Sequence, residues 1–466
     1  TIHVDDTNGR YPLTIDPWIQ AAKLTASDGG NYDDFGTSVA ISGDTIVVGA
    51  EGDDGNGFRT GSAYVFEKPV GGWSNTHQVA KLTASDGSVF SAFGSSVAIS
   101  GDTIVVGAPG NSEYTGAAYV FIKQASGWTS TTQDAKLTTS DGEERDYFGV
   151  SVANSSDTIV VGAWGDDDNG TRSGSAYVFE KPGGGWSNMN QDAKLTASDG
   201  EFEYYFGVSV AISGDTIVVG APGNDKFTGA AYVFIKTGVT WPLNMTETAK
   251  LTAGDGYRYD SFGTSVAISG DTIVVGSPGD DGNISDIGSA YVFEKNPEDD
   301  WPQNLTETSK LSASDGLPFD ELGSSVTVDG DIIIVGSPAG SLSGPQSGSA
   351  YVFEKPGAAW PLTMMETFIL TAGDREGVDH LGESVAISGE TLVVGAPGDY
   401  TVDSYRSGAA YVFEAAIAFP SVINCQTQSY LLREDCYKLL DLYDATNGSG
   451  WDVQYNWTTN TNPCTN

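Results

Sequence analysis

A pattern of alternating small and larger side chains recurs seven times along this chain. In its first copy, residues 36–42 (GTSVAIS), small residues alternate with Thr, Val and Ile, and this period of two predicts a β-strand. Residues 45–49 (TIVVG) follow after a Gly-Asp pair that is short enough for a hairpin turn. The copies start 55 to 60 residues apart, at Gly36, Gly94, Gly149, Gly207, Gly263, Gly323 and Gly382. Such a period indicates one supersecondary unit that is stacked in a line or closed in a ring.

Two further strands complete each unit. The third, residues 61–67 (GSAYVFE), follows a variable loop, and the fourth is the Ala-Lys-Leu-Thr segment at residues 80–83. Four antiparallel strands with small residues on the first are what a propeller blade requires, because the innermost strands crowd around a central axis. A tryptophan precedes the fourth strand in most units: Trp73, Trp128, Trp186, Trp241, Trp301 and Trp360.

The ends of the repeat array favour the ring. The seventh copy has no fourth strand after Glu414, whereas residues 18–26 (WIQAAKLTA) contain a fourth strand without a unit. Pairing the two gives seven complete blades without an open edge. The sequence therefore predicts an all-β fold, a seven-bladed β-propeller over residues 18–415 that its N-terminal strand closes, with an extension at residues 1–17.

The repeats resemble FG-GAP repeats, the blade unit of the integrin alpha-subunit propeller and of many bacterial and algal extracellular proteins. Phe-Gly pairs and the Gly-Ala-Pro that ends the second strand carry the resemblance, although Leu322 and Leu381 replace Phe in units six and seven. The pairs are Phe35-Gly36, Phe93-Gly94, Phe148-Gly149, Phe206-Gly207 and Phe262-Gly263, and the triplets are Gly107-Ala108-Pro109, Gly220-Ala221-Pro222 and Gly395-Ala396-Pro397.

The composition changes after the propeller. Beyond a linker at residues 416–424, residues 427–446 place leucines near helical spacing, and Asn447-Gly448 is expected to end that helix. Residues 425–466 resemble the N-terminal cap of leucine-rich-repeat domains, and we expect them to be a truncated cap. Cys425 and Cys436 are expected to form a disulfide, which leaves Cys464 for a partner beyond the visible end. The alternative is three reduced thiols.

Net charge and glycosylation sequons suggest the partners and the location of the protein. The formal charge of −40 would repel nucleic acid and anionic membranes, and no apolar run reaches the roughly 18 residues that a membrane span needs. The partners we expect are therefore cations, neutral polymers, extracellular proteins or glycans, with self-assembly also open. Sequons for N-glycosylation favour a secreted protein, although a chain rich in Asn, Ser and Thr also produces them by chance. They stand at Asn154, Asn169, Asn244, Asn283, Asn304, Asn447 and Asn456.

Acidic residues recur in the two sets of loops that leave one face of a propeller. One set carries an Asp-x4-Asp pattern before the Phe-Gly pair, and the other carries Asp-rich segments after the second strand. Two adjacent loops could supply the six to eight oxygen ligands that calcium takes, chiefly in blades one, three and five, with blade seven as a further candidate. The candidate ligands are Asp28, Asp33, Asp53, Asp54, Asp141, Asp146, Asp166, Asp168, Asp255, Asp260, Asp280, Asp281, Asp374, Asp379 and Asp399.

The alternative interpretation of these acids is that Asp, Asn and Gly merely form and cap turns. The resemblance to integrins does not supply ligands, because the family's Asp-rich calcium loop lies between strands one and two. In this chain that connection is the short Ser42-Gly43-Asp44. Any calcium sites must therefore lie on the opposite loops.

Aromatic residues in the same loops, with Trp164, Tyr114, Tyr205 and Tyr259 as the candidate ligand face, could stack on sugars or could simply pack between blades.

No catalytic residues are predicted, because His3, His77 and His380 fall in unrelated repeat phases and the carboxylate pairs recur in several blades. We expect an extracellular adhesion or scaffold glycoprotein, calcium-stabilised, and either monomeric or a subunit of a surface or fibrous assembly. A carbohydrate-binding propeller and a polysaccharide-active enzyme are the alternatives.

Overall fold

A computed structural model describes residues 18–415 of the protein, except residues 56, 282–285, 296–300, 302–303, 341–345, 375–376 and 401–404. These residues form seven sheets of four or five strands, which confirms the predicted seven-bladed propeller. The expected extension at 1–17, the linker, the cap at 425–466 and the three cysteines lie outside the described residues.

Each blade is a meander of four antiparallel strands. The first strands are Phe35–Ser42, Ser96–Ser100, Ser151–Ser155, Val210–Ser213, Ser265–Ser269, Ser325–Asp329 and Ser384–Ser388. The second strands are Thr45–Ala50, Thr103–Ala108, Thr158–Ala163, Thr216–Ala221, Thr272–Ser277, Ile332–Ser337 and Thr391–Ala396. The third strands are Ser62–Glu67, Ala117–Ile122, Ser175–Glu180, Ala230–Ile235, Ser289–Glu294, Ser349–Glu354 and Ala409–Ala415.

The fourth strands are shorter except in the closing blade. They are Ala80–Thr83, Ala135–Thr138, Ala193–Leu195, Ala249–Leu251, Ser309–Ser312, Phe368–Leu370 and, in blade seven, Trp18–Leu24. Two four-residue helical segments, Asn111–Tyr114 and Asn224–Phe227, lie in the loops after the second strands of blades two and four.

A fifth strand that the sequence analysis did not predict covers the outer edge of five blades. It comes from the next blade along the chain and pairs in parallel with the fourth strand, as Thr131 does with Leu82. Because each pairing spans only two or three residues, no strand-length apolar pattern announces it. These strands are Thr131–Thr132, Met189–Asn190, Asn244–Met245, Asn304–Leu305 and Thr363–Met365.

The core lies between neighbouring blades, since successive side chains of the second strand point to opposite faces of the sheet. In blade one, Val47 packs in the cluster shared with blade two, whereas Ile46 and Val48 pack in the cluster shared with blade seven. All three side chains are fully buried. A blade therefore has two apolar faces, and the ring must close to cover both.

The glycines of the repeat motif are required by close contacts between blades. A Cβ atom at Gly49 would lie 1.9 Å from the carbonyl oxygen of Gly94 in the next blade, well inside van der Waals contact. Gly36 has a φ of +98°, and a Cβ there would lie 2.3 Å from the carbonyl oxygen of Ala409. The Phe-Gly and Gly-Ala-Pro glycines thus allow the inner strands of adjacent blades to approach closely.

The ring closes as predicted. The N-terminal strand pairs antiparallel with the third strand of blade seven, from Trp18 opposite Ala415 to Leu24 opposite Ala410. Around the axis, a serine on the first strand, or in blade four directly before it, donates a hydrogen bond to the motif glycine of the next blade, beginning with Ser38 Oγ to Gly94 O at 2.7 Å. The other six pairs are Ser96–Gly149, Ser151–Gly207, Ser209–Gly263, Ser265–Gly323, Ser325–Gly382 and Ser384–Gly36.

Within the described part of the chain, no helix has both the length and the apolar character needed to cross a membrane.

Candidate functional site

The two acidic loop sets lie on one face of the propeller, which we call the loop face. It consists of the connections from strand four to strand one and from strand two to strand three. Backbone hydrogen bonds join them, both within a blade, as from Gly52 N to Asp33 O at 3.1 Å, and between blades, as from Phe93 N to Thr60 O at 3.0 Å. The loop face is therefore one continuous hydrogen-bonded surface.

In blade one, a lysine of the fourth strand lies between two of the predicted metal ligands. Lys81 Nζ is 2.6 Å from Asp28 Oδ2 and 2.8 Å from Asp53 Oδ2. The hydroxyl of Tyr64, on the third strand, contacts Asp28 Oδ1 at 3.0 Å and also reaches Asp53 Oδ2. We call this arrangement of one lysine, one tyrosine and the facing loop side chains a lysine cluster.

The other blades that carry two such aspartates have the same cluster. Lys194 Nζ in blade three lies within 2.9 Å of three carboxylates. Lys310 in blade five and Lys23 in blade seven each bind two aspartates within 2.8 Å. Their aspartates are Asp141, Asp166 and Asp168 in blade three, Asp255 and Asp280 in blade five, and Asp374 and Asp399 in blade seven.

Blades two and four have a weaker version of the lysine cluster. Lys136 binds Asp86 at 2.6 Å and the amide oxygen of Asn111 at 3.2 Å. Lys250 binds Asp199 at 2.7 Å and the amide oxygen of Asn224 at 3.2 Å. One carboxylate thus replaces two, as the alternation between odd and even blades in the sequence suggested.

Blade six lacks both parts of the cluster. Ile369 occupies the lysine position, and Gly340 occupies the position of the buried aspartate. Tyr351 still contacts Asp315 Oδ1, at 3.1 Å. The lysine and the buried aspartate are therefore lost together.

The charges within a lysine cluster stabilise one another. Burial alone would lower the pKa of Lys81, but its hydrogen bonds to Asp28 and Asp53 and their negative charges raise it above the ordinary value. Burial likewise acts to raise the pKa of Asp28, and the contacts with Lys81 and Tyr64 reverse this and lower it. For Tyr64, burial and the neighbouring carboxylates raise the pKa, which keeps its hydroxyl proton available as a donor.

The remaining predicted ligands bind their own loops. Asp33 Oδ2 accepts a hydrogen bond from Gly30 N at 2.6 Å, and Asp146 and Asp260 accept the equivalent bonds from Glu143 N and Tyr257 N. Asp54 Oδ1 accepts one from Arg59 N at 2.7 Å, and Asp281 Oδ1 accepts the equivalent bond from Asp286 N. Asp379 is 2% exposed. These are the local turn contacts of the alternative interpretation, and they leave fewer free oxygens for a metal ion.

Three of these loop carboxyls have a raised pKa. Burial raises the pKa of Asp33, Asp146 and Asp260 to about 6 each, only partly offset by the backbone N–H each accepts. The carboxylates of Asp53, Asp166 and Asp280 raise it further. In the part of the chain that the structure describes, none of the three carboxylates forms an ion pair, because the lysine of each blade binds the other aspartates.

Aromatic rings of successive blades contact one another along the loop face. Tyr147 stacks on Trp164 with ring centroids 4.6 Å apart, and Trp164 meets Tyr205 edge-on at 5.4 Å. The series continues from Tyr205 through Phe227 to Tyr259, and it begins at Tyr114. All four predicted ligand-face residues, Trp164, Tyr114, Tyr205 and Tyr259, therefore belong to one chain of ring contacts across blades two to five.

Blades six, seven and one carry acidic residues or a histidine where blades three and four carry these rings. Asp34, Glu321 and His380 occupy the repeat position of Tyr147 and Tyr205. Glu51 occupies the position of Trp164 and lies near Arg59, which also contacts Asp34. The ring series of blades two to five therefore does not continue through this repeat position, although Tyr32, Tyr400 and Tyr405 make separate ring contacts between blades seven and one.

The sequons occupy different environments. Asn169 and Asn244 are exposed, whereas Asn154 lies on a first strand and its amide nitrogen donates a hydrogen bond to Thr103 O at 3.0 Å. Asn304 lies at the start of a fifth strand. Asn283, Asn447 and Asn456 are outside the described residues.

The lysines and tyrosines of the clusters were not predicted from the sequence. Both were visible as repeats, since Lys81 and Tyr64 recur at fixed positions in the fourth and third strands. What was not recognised is that these lysines and tyrosines bind the aspartates of the loops. The lysine is absent in the one blade that has a glycine at the buried aspartate position, and this joint loss could have been read from the aligned copies.

These features define the protein as a seven-bladed β-propeller built from one repeated blade motif. Comparison with protein families matches the FG-GAP repeat at residues 18–66, 76–121, 131–179, 189–234, 245–293, 305–353 and 364–413. The chain therefore belongs to the FG-GAP repeat family. The predicted leucine-rich-repeat cap is not among the matched segments.

Structural comparison supports the same fold. The WD40 β-propeller domain of Doa1 is similar, with a TM-score of 0.50 and 11% sequence identity, over 87% of this chain and 99% of that one. At this identity the likeness shows the fold alone. No curated protein sequence matches the chain.

Proposed function

We propose that the loop face binds a protein partner and that the propeller is an extracellular adhesion or scaffold module, either monomeric or a subunit of a surface or fibrous assembly. One observation carries the proposal. Among the described residues, every exposed aromatic side chain lies on the loop face: Tyr32, Phe58, Phe90, Tyr114, Phe202, Tyr257, Tyr259, Phe319, Tyr400 and Tyr405.

The described arginines show the same bias. All five are in loop-face connections: Arg59, Arg145, Arg172, Arg258 and Arg406. Tyr, Trp and Arg are the side chains that contribute most to binding energy at protein interfaces. The exposed apolar residues elsewhere, such as Val70, Val239 and Leu362, are aliphatic. The loop face therefore has the composition of an interaction surface, and FG-GAP propellers are often involved in protein–protein interactions.

The position of the first and last propeller residues supports presentation of this face. Trp18 and Ala415 are paired at the end of blade seven that is remote from the loop face. Segments that continue from either residue therefore start on the opposite side of the propeller.

Charge narrows the chemistry of the partner. The chain carries 62 acidic and 22 basic residues, and many of the acids are on the loop face. An acidic surface attracts basic or neutral partners and repels acidic ones, most strongly at low salt. We therefore expect a partner with lysine or arginine side chains around an apolar centre.

Peptide display tests this proposal. Random peptides selected on the immobilised full chain should lose at least about tenfold in affinity, or about 1.4 kcal/mol, for a Phe58→Ser, Phe90→Asn, Tyr259→Asn variant. Asn is used at Phe90 and Tyr259 because both have a φ above +60°, which Asn tolerates better than most residues. The matched control is Val70→Ser, Val239→Ser, Leu362→Ser, which should leave affinity unchanged.

Either of two results would reject the proposal. Peptides that bind the loop-face variant as tightly as the wild type would show that the rings are not the interface. Peptides that fail only on the control variant would place the interface on the other side. The melting temperatures of both variants establish beforehand that they are folded.

A carbohydrate ligand is the second candidate. Tyr257 and Tyr259 are 72% and 56% exposed beside acidic loop residues, and exposed rings beside carboxylates suit sugar stacking. Trp164 supports this less, because Tyr147 already stacks on it. A glycan array probed with the wild type and with Tyr257→Ala would support this candidate only if specific binding appears and the variant loses it.

Secretion and glycosylation are part of the proposal. FG-GAP repeats are typical of extracellular proteins, and exposure favours Asn169 and Asn244 as acceptors. Asn154 is disfavoured, since its side-chain nitrogen is already bonded to a backbone carbonyl. Mass spectrometry of the secreted protein, before and after enzymatic deglycosylation, measures occupancy at each sequon.

We also propose a non-catalytic role. The recurring carboxylate pairs that a glycosidase would need are bound by lysines in blades one, three, five and seven. A catalytic pair would be expected in one blade only, with one carboxyl free to donate a proton. Turnover of an acidic or neutral polysaccharide by the purified chain would contradict this.

A further inference from the structure

The lysine clusters occupy the places where the sequence predicted calcium. In blade one the predicted ligands Asp28 and Asp53 both contact the ammonium group of Lys81, within 2.8 Å. In blade three the three carboxylates with the tightest grouping of oxygens in the described chain, Asp141, Asp166 and Asp168, surround Lys194. A positive charge is therefore already present at the centre of each predicted site.

The carboxylate oxygens at these places are also occupied. In blade one, Asp53 Oδ1 accepts a hydrogen bond from Gly55 N at 2.6 Å, and Asp53 Oδ2 accepts from Lys81 and Tyr64. Asp28 Oδ1 accepts from Tyr64, and its Oδ2 accepts from Lys81. Calcium needs six to eight oxygen ligands at about 2.3–2.6 Å. To use these four oxygens it would have to displace the ammonium group from two of them and other hydrogen-bond donors from the rest.

The seven blades differ in the residue at the buried aspartate position and in the residue that faces it. Where a buried aspartate is present, as in blades one, three, five and seven, a lysine faces it. Where the buried residue is Asn111 or Asn224, the lysine keeps one carboxylate. Where it is Gly340, the lysine is replaced by Ile369. The lysine is thus present in every blade whose buried position carries a side-chain oxygen, from Asp or Asn, and is absent in the blade where that position is glycine.

We propose that Lys23, Lys81, Lys194 and Lys310 are built-in cations that take the place of calcium on the loop face, so that this FG-GAP propeller folds and keeps its stability without a metal at these positions. The residues do not fit the predicted calcium sites as long as these lysines are charged. The proposal does not depend on what the loop face binds, and its test measures stability and metal binding instead of partner binding.

The first experiment uses the full chain and calcium itself. After treatment with a chelator, the wild type should keep its melting temperature to within about 1 °C, and addition of millimolar calcium should neither raise that temperature nor release heat in a titration. A chelator that lowers the melting temperature, or calcium that raises it, would overturn the proposal.

The second experiment removes the built-in cation. Lys81→Ile should lower the melting temperature more than the matched change Lys250→Ile in blade four, because it leaves two facing carboxylates, one of them buried, without a counter-charge. The pair Lys81→Ile, Asp53→Gly, which copies blade six, should recover part of the loss.

This comparison of melting temperatures can also contradict the proposal. If Lys81→Ile costs no more than Lys250→Ile, or if Asp53→Gly lowers the melting temperature of Lys81→Ile further, the lysine acts by packing and not as a cation. Recovery in the double variant cannot come from better packing, since both changes in it remove side-chain atoms from a polar site.

Discussion

Ser384 in blade seven donates a hydrogen bond to the carbonyl oxygen of Gly36 in blade one, at 2.8 Å. The same contact joins the six other pairs of neighbouring blades, so the inner ring of serine-to-glycine bonds has no gap. At the outer rim, the strand Trp18–Leu24 closes the same junction by pairing with the third strand of blade seven, Ala409–Ala415. First and last blades are therefore joined at both the inner and the outer strands.

Removal of residues 1–24 should open this ring. The third strand of blade seven would lose the strand Trp18–Leu24 from its outer edge. The buried side chains of Trp18 and Leu24 would also be lost from the two interblade clusters that flank blade seven. An unpaired strand edge promotes association between chains. Size-exclusion chromatography with light scattering should show larger oligomers or aggregates than the full chain forms, whereas a chain that begins at Trp18 should behave as the full chain does. A monomeric chain from residue 25 onward with the wild-type melting temperature would contradict the closure we describe.

Substitution of Gly49 by alanine should be among the most damaging changes in the first blade. Its Cβ would lie 1.9 Å from a backbone oxygen of the next blade, and neither backbone can move without separating the blades. We expect a loss of several kcal/mol in the free energy of unfolding, or failure to fold. Gly183→Ala is the control, because nothing lies within 4 Å of a Cβ there. Urea denaturation measures both; equal effects would mean that the interblade contact is not limiting.

Replacement of Tyr64 by phenylalanine should cost roughly 1–3 kcal/mol. It removes a hydroxyl that contacts two carboxylates, including Asp53, which is only 3% exposed. The matched change Tyr351→Phe in blade six removes a single contact, to Asp315, which water can replace in part. The shift of the urea midpoint should therefore be larger for Tyr64→Phe. Equal shifts would show that the second carboxylate adds nothing.

Stability should be greatest in mildly acidic solution. The pKa of Asp33, Asp146 and Asp260 is about 6 in the folded protein and 3.8 in an ordinary setting. Between these values the folded chain binds protons that the unfolded chain does not, so the free energy of unfolding rises as the pH falls through 6. Carboxyls with a lowered pKa, such as Asp28 and Asp255, have the opposite sign and lose their stabilisation below about pH 4.

We therefore expect the melting temperature to increase from pH 8 to about pH 5 and to fall below about pH 4. The Asp33→Asn, Asp146→Asn, Asp260→Asn variant should be more stable than the wild type at pH 8, by at most about 3 kcal/mol per site, and should lose much of the rise towards pH 5. Blade two already has a neutral residue here, since Ser91 accepts the hydrogen bond from Ser88 N. A variant that is less stable than the wild type at pH 8 would contradict the assignment.

The repeats were sufficient to predict the propeller because each strand carries its own signal. The alternation around Val39, the run around Val47 and the phase shift that assigns residues 18–26 to blade seven all follow from the sequence. The fifth strands could not be predicted in this way, since two residues held by backbone hydrogen bonds leave no periodic pattern. The closing strand is also longer than its counterparts, because Trp18 itself fills the pocket between blades six and seven.

The candidate site was predicted in part. The acidic loops do converge on one face, as the loop connectivity required, and the aromatic residues proposed as a ligand face do lie together. The partner of the acids was missed, because a lysine in a strand whose neighbours are buried, such as Lys81, looks like an outward-facing surface residue in a pattern of period two. Which way its ammonium group turns depends on the loop packed over it, and that is set by the tertiary structure.

The pairing of Trp18 with Ala415 also has a practical consequence. Neighbouring antiparallel strands are about 5 Å apart, so the whole propeller can be grafted as a cassette into a surface turn of another protein, with both junctions at a single point. The host protein would then be attached on the side of the propeller opposite the loop face, and the loop face would point away from the host.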